Sequence, residues 1–177
     1  MLRGKAVHLR PIKRSDLPFF VKWFNDPEVV QNLAIYLPMT EMGEEKWIEE
    51  LATVRTNTDV SFVIGLPGDN SGIPIGTIGL HRIDHKNQNA TFGIAIGEKE
   101  CWSKGYSTEA TRLLISYGFK ELNLNRITSS ALDFNERSIG MHMKAGFREE
   151  GQLRQSMFKN GMFRDLIAFG VLREEWQ

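Results

Sequence analysis

Apolar and polar residues alternate over Val7-His8-Leu9-Arg10, a period of two that predicts a short strand, and Pro11 ends it. The period then lengthens. Leu17, Phe20, Val21 and Phe24 recur at helical spacing behind Ser15-Asp16, a pair suited to capping a helix. Pro18 falls in the first turn, where its missing N–H costs little, and Asn25-Asp26-Pro27 breaks the helix. A second helix is predicted from residue 41 or 44 to residue 56, with Trp47, Ile48 and Leu51 on its buried side. Strands over 60–64, 75–81 and 90–96 form an antiparallel meander, with Pro67 to Gly72 as a turn.

The rhythm changes after Gly97. Residues 107–121 predict a strong helix with Ala110, Leu113, Leu114, Tyr117 and Phe119 apolar, and 126–132 a strand. A short helix over 135–145 ends at Gly146, a natural residue just past a helix C-terminus. Two last strands, 149–158 and 163–172, flank Lys159-Asn160-Gly161, the strongest hairpin signal in the chain. The predicted order is β-α-α-β-β-β-α-β-α-β-β. This is an α/β (α+β) fold around one mixed, mostly antiparallel sheet of about seven strands, flanked by about four helices.

Composition narrows the function classes. At 177 residues the chain is the size of one domain, spanning 1–177, and its 41% apolar and 25% charged residues are ordinary for a globular protein. Lys+Arg and Asp+Glu are 22 each, so the basic surplus of a nucleic-acid binder is missing. The lone Cys101 allows no intrachain disulfide and suits a reducing compartment. No apolar run approaches the ~18 residues of a membrane span, and no apolar signal core follows the basic N-terminus. The expectation is a soluble cytoplasmic protein with no membrane or nucleic-acid partner.

The stretch richest in chemistry is Trp102-Ser103-Lys104-Gly105-Tyr106-Ser107-Thr108-Glu109-Ala110. A strand ends, a tight turn follows and a long helix begins, so unpaired N–H groups and the positive end of the helix dipole meet at the turn. Gly105 permits close backbone approach and Lys104 adds charge, which together make a cradle for phosphate or pyrophosphate. Neither G-x-x-x-x-G-K-[ST] nor G-x-G-x-x-G is present, so ATP hydrolysis and nicotinamide chemistry lack support.

Here the chain resembles the GCN5-related N-acetyltransferase (GNAT) superfamily, in particular the branch of the ribosomal-protein N-terminal and spermidine acetyltransferases. The family's pyrophosphate motif, Gln/Arg-x-x-Gly-x-Gly/Ala, matches Trp102 to Ser107: Gly105 fits, Ser107 is small, and Trp102 departs. Asn135-Glu136-Arg137-Ser138-Ile139-Gly140-Met141-His142-Met143-Lys144-Ala145-Gly146-Phe147 resembles a second family block, and Asn160-Gly161, Asp165 and Glu175-Trp176 resemble the branch's ending. The resemblance implies the GNAT fold, with the strands 90–96 and 126–132 splayed apart. It implies acetyl-CoA as co-substrate, with no metal. The pantetheine arm would pair with the backbone of Ile94, Ala95 and Ile96. The pyrophosphate would rest on Trp102, Ser103, Lys104, Gly105, Tyr106, Ser107 and Thr108. Asn135 would bind the arm, cap the helix, or do both. Because the branch is often dimeric, a homodimer is also implied.

Acetyl transfer to an amine needs a neutral amine in line with the carbonyl, a donor for the oxyanion and a proton for the leaving thiolate. The resemblance places the oxyanion donor in the backbone near Ile94. Many relatives carry a Tyr as leaving-group acid at the position of His142; Ser138, one turn earlier, is the rival donor. The general base stays open. Thr91 stands where some relatives have a Glu, and Asp84, His81, His85 or a water chain are the other candidates. Cys101 reads as structural. Glu41, Glu45 and Glu49 share one helical face, which is either solvated surface or an attraction for a cationic amine. The leading reading is an acetyl-CoA-dependent N-acetyltransferase acting directly on a primary amine: a protein N-terminus, a polyamine or a small amine. The alternatives are a catalytically weak acyl-CoA-binding module and a general anion-binding domain.

Overall fold

In the computed structural model, which describes residues 1–43, 45–46, 49, 58–68 and 72–176, eight strands make one sheet. They are β1 (Leu2–Arg3), β2 (His8–Arg10), β3 (Val60–Leu66), β4 (Ile73–Asp84), β5 (Asn89–Ile96), β6 (Arg126–Leu132), β7 (Arg148–Lys159) and β8 (Met162–Leu172). The sheet order is β1-β2-β3-β4-β5-β6-β8-β7. Every neighbouring pair is antiparallel except β5 and β6. The helices are α1 (Leu17–Phe24), α2 (Pro27–Val30), α3 (Tyr106–Lys120) and α4 (Glu136–Ala145), and the described residues among 41–49 are also helical.

The parallel pairing is short: Asn89↔Arg126, Ala90↔Ile127 and Thr91↔Thr128. Beyond it β5 stays on β4 as far as Gly76↔Ile96, and β6 stays on β8 as far as Leu132↔Leu166. Each strand is held by its outer neighbour, so the sheet opens between them into a wedge. The helix α3 covers the sheet with Ala110, Leu114, Ile115 and Phe119, which join Leu80, Phe92 and Ile127 in one buried cluster. A smaller cluster of Phe20, Trp23 and Val63 anchors α1. The Trp23 ring lies flat against Gly97, where an added Cβ would fall 2.0 Å from a ring carbon, and the indole Nε1 donates to Glu98 Oε1 at 2.8 Å. This fixes the chain as it leaves β5 for the turn before α3.

The predicted element order holds, and the sheet has one more strand than expected, the two-residue β1. The short α2 was also missed: it begins at Pro27, the residue read as a helix breaker, with Asp26 accepting from the Glu28 N–H at 2.9 Å. The hairpin turn forms as read: Asn160 (φ 52°) and Gly161 (φ 80°) are both left-handed between Lys159↔Met162, as a type I′ turn requires. Gly146 ends α4 at φ 106°. Trp47, Ile48, Leu51 and the end of the second predicted helix lie outside the described residues. Among the described residues no helix is long and apolar enough to cross a membrane.

Asp16 is put to a different use from the one its sequence suggested. It stands at the N-cap of α1 but makes no side-chain cap bond to that helix. Its carboxylate instead takes a two-pronged ion pair from Arg10, with Nη1–Oδ2 and Nη2–Oδ1 both 2.7 Å, and accepts from the Lys13 N–H at 2.8 Å. Both side chains are 3% exposed. Removing one partner of such a pair leaves the other charge poorly compensated in the interior. Asp16→Ala is expected to cost about 3 kcal/mol in urea unfolding, whereas Arg10→Met/Asp16→Leu recovers most of that loss; equal stability of the two variants contradicts this account.

Candidate active site

The wedge between β5 and β6 is a cavity of about 240 Å³. Its walls come from β5, β6, the turn after β5, the start of α4, and Asn32 to Ala34 after α2. Backbone polarity alternates along β5. The Gly97 N–H bonds back to Ile75, so Ala95 also turns its peptide groups to β4. Ala90, Phe92, Ile94 and Ile96 turn theirs toward the wedge. Thr128 Oγ1 donates to the Ala90 carbonyl (3.3 Å), Ser129 Oγ is 3.2 Å from the Phe92 carbonyl, and the Trp102 indole donates to the Ile96 carbonyl (2.8 Å). Among the described residues no side chain does the same for Ile94. Of the three residues assigned to pantetheine pairing, Ile94 therefore offers both backbone groups, Ile96 its N–H, and Ala95 neither.

At the mouth, Ser103 (φ 60°) and Gly105 (φ 83°) are both left-handed and bracket Lys104, curling the backbone into a concavity of amide groups. Gly105 is the N-cap of α3, so the N–H groups of Tyr106, Ser107 and Thr108 lack helical acceptors. Space beside Gly105 is open. Trp102, Ser103 and Ser107 line the cavity, while Lys104 and Gly105 are exposed at its rim. The Arg137 guanidinium stacks 4.1 Å from the Trp102 ring centroid and adds a cation at this end. Glu109, the one acid in the first turn of α3, is drawn away: its Oε1 accepts from the Ala6 N–H at 2.9 Å.

At the inner end stands His142, 2% exposed. Its ring stacks on Phe169 (4.6 Å between centroids, 9° between planes) and meets Phe92 and Phe147 edge-on. Nδ1 lies 2.7 Å from the Ser138 carbonyl, which only accepts, so Nδ1 carries the proton. Nε2 lies 2.8 Å from Ser129 Oγ. Ser138 also lines the cavity, its Oγ 3.5 Å from Nδ1. Asn135 caps α4, accepting from the Ser138 N–H at 3.1 Å, and its amide nitrogen points to the Asn32 carbonyl at 3.5 Å.

Residues 6–148 match the family model of the acetyltransferase (GNAT) domain. The chain belongs to the GNAT acetyltransferases. It is 31% identical to the SPbeta prophage-derived N-acetyltransferase YokL of Bacillus subtilis, over 98% of this chain and 94% of that one. It is 28% identical to the spermidine N(1)-acetyltransferase of Escherichia coli K12, over 99% and 91%. In the solved structures, the spermidine N-acetyltransferase of Vibrio cholerae, in complex with CoA and spermine, superposes with a TM-score of 0.87 at 23% identity, over 97% of this chain and 98% of that one. The architecture is accordingly the GNAT fold, and the chain is an N-acetyltransferase.

Within this acetyltransferase the candidate bases read from sequence fall outside the cavity. Asp84 accepts from the N–H groups of Lys86 and Asn87 and closes the β4–β5 turn, and the Asn87 bonds hold its carboxyl below the usual range. His81 faces Asp59 (3.1 Å), and Thr91 accepts from Arg82 (3.2 Å). His85 follows Asp84 in the same turn. Among the described residues that line the cavity there is no carboxylate. Cys101, read as structural, lines the cavity beside the turn; burial raises its thiol pKa, which makes it a poor nucleophile. The acidic helical face is partly occupied, since Arg14 pairs with Glu45 and lies 3.6 Å from Glu49.

Three participants escaped the sequence reading: Ser129, Arg137 and Lys159. Ser129 is an unremarked hydroxyl in a strand, and only the register of β6 against β5 turns it inward. Lys159 appeared only as a hairpin residue. Its Nζ is buried and donates to the carbonyls of Leu33 (2.9 Å) and Ile35 (2.6 Å), tying the hairpin to the loop that walls the cavity. Burial holds its pKa below the usual lysine value.

Burial also lowers the His142 pKa below 6.5, against a smaller opposing effect of the Ser138 bond. Below about 6.5 the unfolded chain binds a proton here that the folded chain refuses, so stability must fall with pH in that range. A fluorescence-monitored melting series is expected to show this acid-side decline, at most ~1.4 kcal/mol per pH unit from this residue. The variant Ser129→Ala/His142→Leu should lose that component; an unchanged slope would falsify the assignment.

Proposed function

We propose that the chain transfers the acetyl group of acetyl-CoA directly to a primary amine. The single observation that carries the reading is the unpaired edge of β5 facing the cavity beside a concave turn of free amides. The turn suits a diphosphate, and Ile94, whose peptide groups face the cavity, suits an extended amide-bearing arm. Its N–H is also placed to receive an oxyanion. Lys104 and Arg137 supply positive charge at the diphosphate end. A thioester entering this way has its acyl end near Ser129, Ser138 and His142. The acceptor enters from the side of the loop that Lys159 fastens, and the spermidine acetyltransferases among the relatives make a polyamine one candidate beside a peptide N-terminus or another small amine.

The scarcity of carboxylates in the cavity favours one second reading, a module that binds acyl-CoA with little turnover. Thiol release from acetyl-CoA against a panel of polyamines, amino acids, aminoglycosides and peptides with free N-termini separates the two. Release with any amine supports transfer; CoA binding without release across the panel supports the module. The turn is tested apart from turnover. Gly105→Ala and Gly105→Glu share the strain of a side chain at φ 83° and differ in charge. Calorimetry is expected to show CoA bound roughly tenfold more weakly by Gly105→Glu than by Gly105→Ala, ~1.4 kcal/mol. Equal affinities would place the diphosphate elsewhere.

A further inference from the structure

The mechanism above leaves one buried polar cluster without a task and one chemical requirement without a residue. The requirement is a group that removes a proton from the attacking nitrogen. The cluster is Ser129 and His142, at the inner end of the cavity. Ser129 Oγ sits at the point where β5 and β6 part, one residue past the last parallel pair, between the Phe92 carbonyl and His142 Nε2. A hydroxyl has one proton and two lone pairs. With His142 neutral, the Ser129 proton points to Nε2. With His142 charged, Nε2–H donates to Ser129 Oγ, and the Ser129 proton turns to the Phe92 carbonyl. The two arrangements differ only in hydrogen positions, and every heavy atom stays where it is.

We propose that Ser129 and His142 form a proton shuttle for acetyl transfer. As the amine nitrogen bonds to the acetyl carbon, Ser129 Oγ takes a proton from that nitrogen and passes its own to His142 Nε2. As the carbon–sulfur bond breaks, the same transfers run in reverse: Nε2 returns a proton to Ser129 Oγ, and Ser129 gives its proton to the departing sulfur. The net result is one N–C bond formed, one C–S bond broken and one proton moved from nitrogen to sulfur. Ser129 is the residue that meets the reacting atoms; His142 acts through it.

This rests on the acetyltransferase reading above and goes beyond it in naming the base. Nδ1–H is committed to the Ser138 carbonyl, so the ring cannot turn, and its free lone pair is aimed at Ser129 alone. The groups that pack against the ring are Phe92 from β5, Ser129 from β6, Ser138 from its own helix, and Phe147 and Phe169. None of them is charged, and no charged side chain acts on the imidazole among the described residues. Burial therefore favours the neutral ring, whose Nε2 lone pair faces Ser129. The flat stack on Phe169 then accommodates the imidazolium while it exists.

Two measurements test the shuttle, one without substrate. Nitrogen-15 NMR of the free protein is expected to show a neutral Nδ1–H ring at pH 7 that becomes charged below the usual histidine pKa. A ring found charged, or protonated at Nε2, at pH 7 overturns the proposal. The second uses thiol release with acetyl-CoA and spermine, and with acetyl-CoA and a short peptide bearing a free N-terminus. Ser129→Ala is expected to lower kcat on the order of a hundredfold with CoA affinity intact. Ser129→Ala/His142→Leu removes both polar groups, so it keeps its fold, yet it shows the same loss and lacks the extra one-proton slope on the acid side of the wild-type rate profile. A pair that merely packs predicts wild-type turnover from that double variant, and this result overturns the shuttle alone. A wild-type protein that binds CoA and releases no thiol with either amine overturns the transferase reading, and the shuttle with it.

Discussion

The site depends on a mismatch in how two strands are held. β6 is paired with β8 along its whole length, and β5 with β4, so the two have different outer partners and share only three register pairs. A right-handed twist accumulates within each half of the sheet and drives the free ends apart. Buried backbone groups cannot be left bare, so the opened edge has to be satisfied by other means. Past the ladder, the Ile96 carbonyl is met by the Trp102 indole, and Ser129 Oγ lies 3.2 Å from the Phe92 carbonyl. The peptide groups of Ile94 are left open, which suits an extended ligand.

This explains which parts of the site were readable from the sequence. Signals that act over a few residues were plain. Asn160-Gly161 can only make its turn with two left-handed residues, and Gly146 stops α4 for the same reason. The turn at Gly105 and the block from Asn135 to Phe147 were likewise legible, because helix ends are made by adjacent residues. What was not legible is set by partners far away in the chain. Asp16 looks like a cap until Arg10 claims its carboxylate. Ser129 is one of several small polar residues in its strand until β5 is laid beside it. The two-residue β1 carries too little pattern to register, and α2 hides behind a proline that opens a helix as well as it ends one.

The charges divide the cavity. At its mouth stand Lys104, Arg137 and the amides of α3, while the acid of that first turn, Glu109, is turned away to Ala6. At its inner end the surroundings are aromatic and uncharged, and the one titratable group is kept neutral by burial rather than by a partner. An anionic carrier is thus favoured at the rim and a neutral reaction centre inside. This is the separation that transfer from a charged carrier to an uncharged amine requires, because an ammonium has no lone pair with which to attack.

The loop after α2 that walls the cavity is held on the same principle. Leu33 and Ile35 present carbonyls that no strand or helix takes up, and one buried lysine from the β7–β8 hairpin satisfies both. Lys159 is thereby deprived of solvent, and its pKa falls. Without a carboxylate to fix its orientation, the ammonium is held by carbonyl dipoles, so the loop's position is set by backbone geometry and not by the identity of a distant side chain. Met157 and Leu166 of the hairpin strands also line the cavity, and β8 carries that hairpin on β6. β8 pairs with β6 on one side and, on the other, with β7, whose Lys159 fastens the loop, so β8 joins the strand that lines the wedge to the strand that holds its wall.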